Sequence, residues 1–149
     1  MKQALLIFAL FSTTIVFSTA NAAETYKTFE DYKVLYSAFN SSFISPEVAA
    51  TYSIIRGKDK GLVNIAVIPA GATASSGGKS ALVTGHVANI FAQQKKLDFF
   101  EINEGGAIYY LALFRFENED PLTFKITVQP DPDKPAGHIS FQRTFYHDK

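Results

Sequence analysis

Three histidines are the only imidazoles in this chain, and they are the first residues to consider for catalysis or metal binding. His86, His138 and His147 lack the i, i+4 spacing with which a helix presents two imidazoles to one metal ion. The sequence also lacks the Gly-x-Ser-x-Gly motif that would mark a nucleophile for a Ser–His–Asp assembly. We therefore expect isolated histidines, no metal site and no cofactor, and a hydrolase is the least favoured function.

Two further patterns resemble catalytic motifs. Gly78-Lys79-Ser80 looks like the end of a phosphate-binding loop, but the glycine required five positions earlier is Thr73. The following residues, 81–84, favour a strand, so no helix N-terminus would face a phosphate. Glu101 and Glu104 could pair for glycoside hydrolysis, yet solvation at a strand end explains them better. The sequence therefore predicts a surface loop at 70–79 and no catalytic set.

Polar side chains inside apolar segments are more informative. Asn64 is the polar residue of the otherwise apolar segment 62–65, and Asn89 is that of segment 87–90. A buried amide must be hydrogen-bonded or it destabilises the fold by a few kcal/mol. One interpretation is structural, with both amides bonding neighbouring backbone. The other is that Asn64, Asn89 and Arg56 line a ligand or partner surface, and Arg143 on an apolar strand face raises the same question.

Aromatic pairs offer a second type of binding surface. Tyr109-Tyr110 and Phe99-Phe100 could frame an aromatic groove, or line a pocket between two sheets. Aromatic side chains in a small domain more often fill the core. Tyr109 and Tyr110 are therefore candidate binding residues with a structural alternative.

Period-two alternation of apolar and polar residues dominates the elements that must position these side chains. Residues 122–128 alternate strictly, as only a half-buried strand does, whereas 108–116 are apolar on both faces, as in a central strand. Turn-forming clusters recur at roughly 8–12 residue intervals, which is typical of an antiparallel sandwich. The predicted strands are 34–38, 53–56, 62–68, 97–102, 108–116, 122–128 and 139–145.

One helix and one ambiguous segment complete the prediction. Ser45 is a good N-cap, Pro46 suits the first helical position, and a short helix is predicted over 46–52. Residues 81–92 fit either a helix or a strand, and we interpret them as a strand, with Gly85 as a bulge candidate and residues 93–96 as the following turn. The fold class is therefore all-β, a sandwich of about seven or eight antiparallel strands with one short helix.

The first 22 residues have the layout of a secretory signal peptide. Lys2 is followed by an apolar stretch of about 14 residues, too short to span a bilayer, and Ala20-Asn21-Ala22 gives a cleavage site. Residues 23–149 would then form a single domain with 13 Lys and Arg and 14 Asp and Glu. Near-neutral charge argues against nucleic-acid binding. Without cysteine there is no disulfide and no lipid attachment, so we expect no membrane anchor after cleavage.

Four blocks of the sequence resemble the domain-of-unknown-function 4426 family of secreted proteins from Gram-negative bacteria. They are Tyr36-Ser37-Ala38-Phe39-Asn40, Pro46-Glu47-Val48-Ala49, Gly61-Leu62-Val63-Asn64-Ile65-Ala66-Val67 and Ala107-Ile108-Tyr109-Tyr110-Leu111-Ala112. The resemblance implies a periplasmic, immunoglobulin-like sandwich without an established activity. No catalytic residue can be carried over from it.

These observations favour a non-enzymatic periplasmic binding or protein-interaction module. Its partner would be an unknown envelope protein or a small ligand, contacting the loop 71–79 and a sheet edge near Asn64. The alternative is a small-molecule carrier with an aromatic-lined pocket, because residues 23–149 contain seven Tyr and eleven Phe. An envelope hydrolase comes third.

Overall fold

The computed structural model describes residues 25–73 and 77–149, so the predicted signal peptide lies outside the described residues. Within these ranges the chain forms nine strands, a 3₁₀ turn at Ser41–Phe43 and helix α1 at Pro46–Thr51. The strands are β1 (Tyr26–Thr28), β2 (Tyr32–Asn40), β3 (Lys60–Pro69), β4 (Leu82–Ala88), β5 (Gln94–Leu97), β6 (Phe100–Glu104), β7 (Ala107–Arg115), β8 (Asp120–Gln129) and β9 (Gly137–Phe145). None of the described helices is long and apolar enough to cross a membrane.

The strands make two antiparallel sheets that pack face to face. One has five strands in the order β1-β2-β3-β7-β6, and the other has four in the order β5-β4-β8-β9. The predicted all-β sandwich with one short helix is therefore confirmed. Strand β7 lies between β3 and β6, which agrees with the prediction that 108–116 is a central strand.

Aromatic and branched aliphatic side chains fill the space between the sheets. Phe114 lies at the centre, with its ring centroid 5.1 Å from that of Phe124 and 5.0 Å from that of Phe145. These side chains reach the core because every second residue of β7 and β8 faces inward. Phe124 is fully buried, so the aromatic content serves the core first.

The five-stranded sheet carries a second apolar cluster on its outer face. Helix α1 contributes Ala49 to this cluster, and the segment after the helix contributes Ile54. They pack on Leu62 of β3, Leu111 of β7 and Ile102 of β6, all of them buried. This sheet is therefore apolar on both faces. Helix α1 is short and covers only part of the outer apolar face, so a groove remains beside it.

Two predicted strands are wrong. Residues 53–56 close helix α1 instead: Ser53 adopts a left-handed φ of 55°, and the Ile54 N–H donates to Ala49 O at 2.8 Å. Residues 97–102 belong to two strands, because the chain passes from one sheet to the other at residues 98–99. Leu97 ends β5 in the four-stranded sheet, and Phe100 begins β6 in the five-stranded one.

The ambiguous segment 81–92 is mainly strand, as interpreted from the sequence, but the predicted turn is misplaced. Strand β4 ends at Ala88, residues 89–92 make the turn, and residues 94–97 are strand β5. Gly85 is not a bulge, since it pairs in continuous register with Leu97 on one side and Ile126 on the other. A Cβ at Gly85 would lie 2.7 Å from Lys125 O, so close approach of β4 and β8 explains this glycine.

Candidate functional site

Helix α1 forms because its first turn is capped. Ser45 precedes the helix in an extended conformation and its Oγ accepts a hydrogen bond from the Val48 N–H at 3.3 Å. Pro46 occupies the first turn, where no intrahelical N–H is needed. Hydrogen bonds from its own backbone N–H and from the Ser45 hydroxyl lower the pKa of Glu47. The helix is six residues long, so its stability depends on packing against the sheet.

A groove of about 230 Å³ lies where helix α1 and its flanking segments meet the outer face of the five-stranded sheet. It is open to solvent, and the side chains around it are mostly apolar. The lining residues are Phe39, Ile44, Val48, Tyr52, Ile54, Asn64, Ile102, Glu104, Tyr109 and Leu111. We call this feature the α1 groove.

Asn64 is the unusual residue of the α1 groove. Its position in β3 is between Ser37 of β2 and Leu111 of β7, in the middle of the sheet. The Oδ1 atom is buried, and no donor among the described residues bonds to it. An unsatisfied buried acceptor costs about 1–3 kcal/mol, so this amide does not stabilise the sandwich through that atom. The groove therefore contains an acceptor without a partner.

The surroundings of the α1 groove are apolar and exposed. Val48 is 43% exposed, and Phe43 and Ile55, each one residue from a lining residue, are 73% and 64% exposed. Glu104 is the single charged residue of the lining. Large exposed apolar side chains gathered in one region are typical of an interaction surface.

Tyr109 and Tyr110 lie on opposite faces of β7. Tyr109 lines the α1 groove with Asn64, whereas Tyr110 belongs to the core between the sheets. The Tyr110 hydroxyl accepts a hydrogen bond from the Ala81 N–H at 2.9 Å and donates one to Glu101 Oε2 at 3.0 Å. Burial raises the pKa of Tyr110. Tyr110 therefore anchors the segment before β4, and the two tyrosines do not form one groove.

Asn89 and Arg56 lie away from the α1 groove lining. Asn89 Oδ1 accepts from the N–H groups of Phe91 and Gln93, each at 3.0 Å, and its Nδ2 donates to Gln93 Oε1 at 2.7 Å. These bonds organise the turn between β4 and β5. Arg56 donates from Nη2 to Ser42 O at 3.2 Å. The backbone hydrogen bonds of Asn89 match the structural interpretation of that amide, whereas the Oδ1 of Asn64 has no such bond among the described residues.

The loop predicted at 71–79 is partly fixed to the sheet, and its residues 74–76 lie outside the described ranges. The Gly78 N–H donates to Gly106 O at 2.8 Å, and the Lys79 N–H donates to Val67 O at 2.7 Å. These are N–H groups that a phosphate-binding loop would direct at its ligand. A Cβ on Gly78 would lie 2.6 Å from Ile108 N, so this glycine permits close packing.

Two of the three histidines, His86 and His138, line one depression, and His147 is not among its residues. His138 Nδ1 lies 3.2 Å from Thr127 Oγ1, and His147 Nε2 lies 3.5 Å from Phe116 O. His86 lines a depression on the outer face of the other sheet, together with His138. In the part of the chain that the structure describes, no three His, Cys, Asp or Glu side chains are grouped to hold a metal ion.

Comparison with known proteins gives a family and a fold. A family model described as a domain of unknown function, DUF4426, matches residues 26–148. The crystal structure of a DUF4426 family protein from Pseudomonas aeruginosa PAO1 is 32% identical, with a TM-score of 0.72 over 85% of this chain and 97% of that chain. Curated proteins of known function include no match.

More distant structures share the fold. FetP of uropathogenic Escherichia coli strain F11, recombinantly expressed in the periplasm, is 9% identical, with a TM-score of 0.54 over 85% of this chain and 95% of that one. A copper-bound variant of FetP is also 9% identical, with a TM-score of 0.53 over 84% of this chain and 96% of that one. At this identity the likeness shows the sandwich alone.

Proposed function

The chain belongs to the DUF4426 family, and we propose that it is a non-enzymatic protein-interaction module of the periplasm that binds a partner segment in the α1 groove. The single observation that carries this proposal is an open apolar groove whose lining includes the Asn64 amide, with an Oδ1 that has no hydrogen-bond donor among the described residues. The leader-like first 22 residues support the compartment.

The size of the groove indicates what it holds. At about 230 Å³ it is smaller than the roughly 300 Å³ at which sites for drug-sized ligands begin. It suits one bulky apolar side chain of a partner, whose neighbouring backbone would hydrogen-bond with the Asn64 amide in the groove lining. Exposed Val48, Phe43 and Ile55 would be covered by the rest of the segment.

The negative charge of Glu104 in the groove lining indicates a second property of the partner segment. Glu104 is the one charged side chain in the groove lining, and it lies at the end of edge strand β6. A Lys or Arg beside the apolar side chain of the partner would pair with Glu104. The proposed occupant is therefore a protein segment that combines a bulky apolar residue with a basic neighbour.

The alternatives have less support. A carrier with a pocket between the sheets would need Tyr109, Tyr110 and Phe99 together, yet Tyr109 faces the outer side of its sheet. A hydrolase would need a histidine oriented by a carboxylate, and the ring contacts of His138 and His147 are to a threonine hydroxyl and a backbone carbonyl.

Copper binding, a property of FetP, does not fit the donor set of this chain. Copper sites use His, Cys and Met ligands, and the chain has no Cys and a single Met at position 1. His86 and His138 share one depression, but no third His, Cys, Asp or Glu joins them in the described ranges. We therefore do not extend copper binding to this protein.

Selection from a peptide phage library against the purified protein tests the proposal. We expect enrichment of peptides with one bulky apolar residue beside Lys or Arg, and amide NMR shifts that map to the α1 groove. Asn64→Leu removes the acceptor and should weaken the selected peptide about 3–10-fold, the value of one hydrogen bond.

Asn89→Leu is the matched control, because the same substitution falls in the β4–β5 turn away from the groove. It should leave peptide affinity unchanged. Peptides that bind Asn64→Leu as tightly as the parent protein, shifts confined to the four-stranded sheet, or no enrichment at all would each contradict the proposal.

A further inference from the structure

A wide depression lies on the outer face of the four-stranded sheet, on the opposite side of the molecule from the α1 groove. Its volume is about 770 Å³, which is within the range of roughly 300–1,000 Å³ typical of ligand sites. The lining residues are Lys27, Thr84, Gly85, His86, Lys96, Lys125, Ile126, Thr127, His138, Ile139 and Ser140. Five of these carry a basic side chain, three carry a hydroxyl, and none is Asp or Glu.

Three of the basic residues lie in a row across adjacent strands. His86 of β4 is directly opposite Lys96 of β5 on one side and Lys125 of β8 on the other. Residues paired in this way have Cβ atoms about 4.5–5.5 Å apart on one face of the sheet. Lys96 and Lys125 therefore lie on the same face with His86 between them, where one anionic ligand can reach both lysines.

Lys27 and His138 extend the basic surface toward β9. Lys27 Nζ donates to His138 O at 2.8 Å, which holds the β1 lysine over this sheet. Thr127 Oγ1 lies 3.2 Å from His138 Nδ1, in the next row of the same face. Lys96 Nζ lies 3.2 Å from Asp98 Oδ1, in an ion pair whose two side chains are 80% or more exposed.

The charge is local. Lys and Arg together equal Asp and Glu over the whole chain, 14 against 14, so the molecule as a whole does not attract anions. Surface ion pairs such as Lys96–Asp98 contribute little in water and leave the lysine available to a competing anion. The concentration of positive charge and hydroxyl donors in one depression is therefore a property of this face.

We propose that this depression binds a small multivalent anion, one that carries at least two phosphate or carboxylate groups. Lysine side chains would contact the separate anionic groups, and the hydroxyls of Thr84, Thr127 and Ser140 would donate to their oxygens. A single monovalent anion would occupy a small part of 770 Å³ and neutralise one lysine of the row.

Calorimetric titration of the purified protein at low salt tests this proposal with tripolyphosphate, citrate and monophosphate as probes. Tripolyphosphate and citrate should bind, and the affinity should fall as salt rises. Lys96→Glu combined with Lys125→Glu should weaken both at least about tenfold. Monophosphate should bind far more weakly than either.

Lys95→Glu is the matched control, since Lys95 belongs to the same strand as Lys96 but lines a different depression, with Asn89 and Arg115. It changes the net charge equally per substitution and should leave binding intact. Equal loss in Lys95→Glu, or no binding of tripolyphosphate and citrate at millimolar concentration, overturns the proposal. None of these outcomes depends on the α1 groove.

Discussion

Replacing Asn64 with leucine should stabilise the free protein, although Asn64 lies in the middle of a five-stranded sheet. Substitutions in a sheet interior normally destabilise, by about 1 kcal/mol on average. Asn64 differs because its Oδ1 is buried without a hydrogen-bond donor among the described residues. Leucine is similar in size and places an apolar side chain among Phe39, Tyr109 and Leu111.

The size of the effect follows from the buried acceptor. Leaving such a group unsatisfied costs about 1–3 kcal/mol, and the lower part of that range applies because the Asn64 residue as a whole is only partly buried. We therefore expect a gain of about 1–2 kcal/mol in the free energy of unfolding. For a domain of this length that corresponds to a rise of roughly 4–8 °C in Tm.

The same substitution at Asn89 should have the opposite sign. Asn89 accepts two backbone hydrogen bonds in the β4–β5 turn, from Phe91 and Gln93. Each is worth about 0.5–1.5 kcal/mol, so Asn89→Leu should destabilise by about 1–2 kcal/mol. Urea unfolding followed by far-UV circular dichroism measures both variants. A loss of stability in Asn64→Leu, or the same sign for the two variants, would refute the reasoning about Asn64.

Three further predictions concern the core, a buried hydroxyl and an ion pair. Gly61→Ala places a Cβ 2.2 Å from Cζ of Phe114 and should cost about 1–3 kcal/mol in urea unfolding. Tyr110→Phe removes two hydrogen bonds and should also cost about 1–3 kcal/mol, with peptide binding in the α1 groove unchanged. A hydrogen bond from Arg115 lowers the pKa of Asp59 to about 2, from 3.8, so Asp59 stabilises the fold above pH 4 and this contribution is lost as pH falls toward 2. Arg115→Gln should therefore be less stable than the parent at pH 6, with the difference shrinking below pH 4 in a pH series of unfolding curves.

The fold could be predicted where the sequence alternates strictly. Residues 122–128 form strand β8, and 46–51 form the capped helix, because local pattern and tertiary environment agree there. Residues 97–102 could not be assigned, because a continuous run of strand-forming residues does not show that the chain changes sheet at 98–99. The prediction of a strand at 53–56 was wrong because Ser53 ends the helix in a left-handed conformation. Non-glycine residues rarely adopt this conformation, so the sequence does not indicate it.

The candidate site was partly visible in the sequence. Asn64 was distinguishable as a polar residue in an apolar strand, but its placement at a sheet edge was wrong, because β3 lies between β2 and β7. Adjacent residues of a strand face opposite sides of the sheet, so only one of Tyr109 and Tyr110 could reach the groove. Which of them does so depends on the register of β7, which the sequence alone does not show. The basic row was not predicted, since Lys96 and Lys125 are distant in sequence and meet only through pairing with β4.

The α1 groove contains a group that folding alone does not favour, because a sequence selected only for stability would place an apolar residue at position 64. The α1 groove and the basic depression lie on outward faces of different sheets, with the aromatic core between them. The two proposals are therefore sterically independent: a partner segment in the α1 groove would leave the basic depression open to an anion.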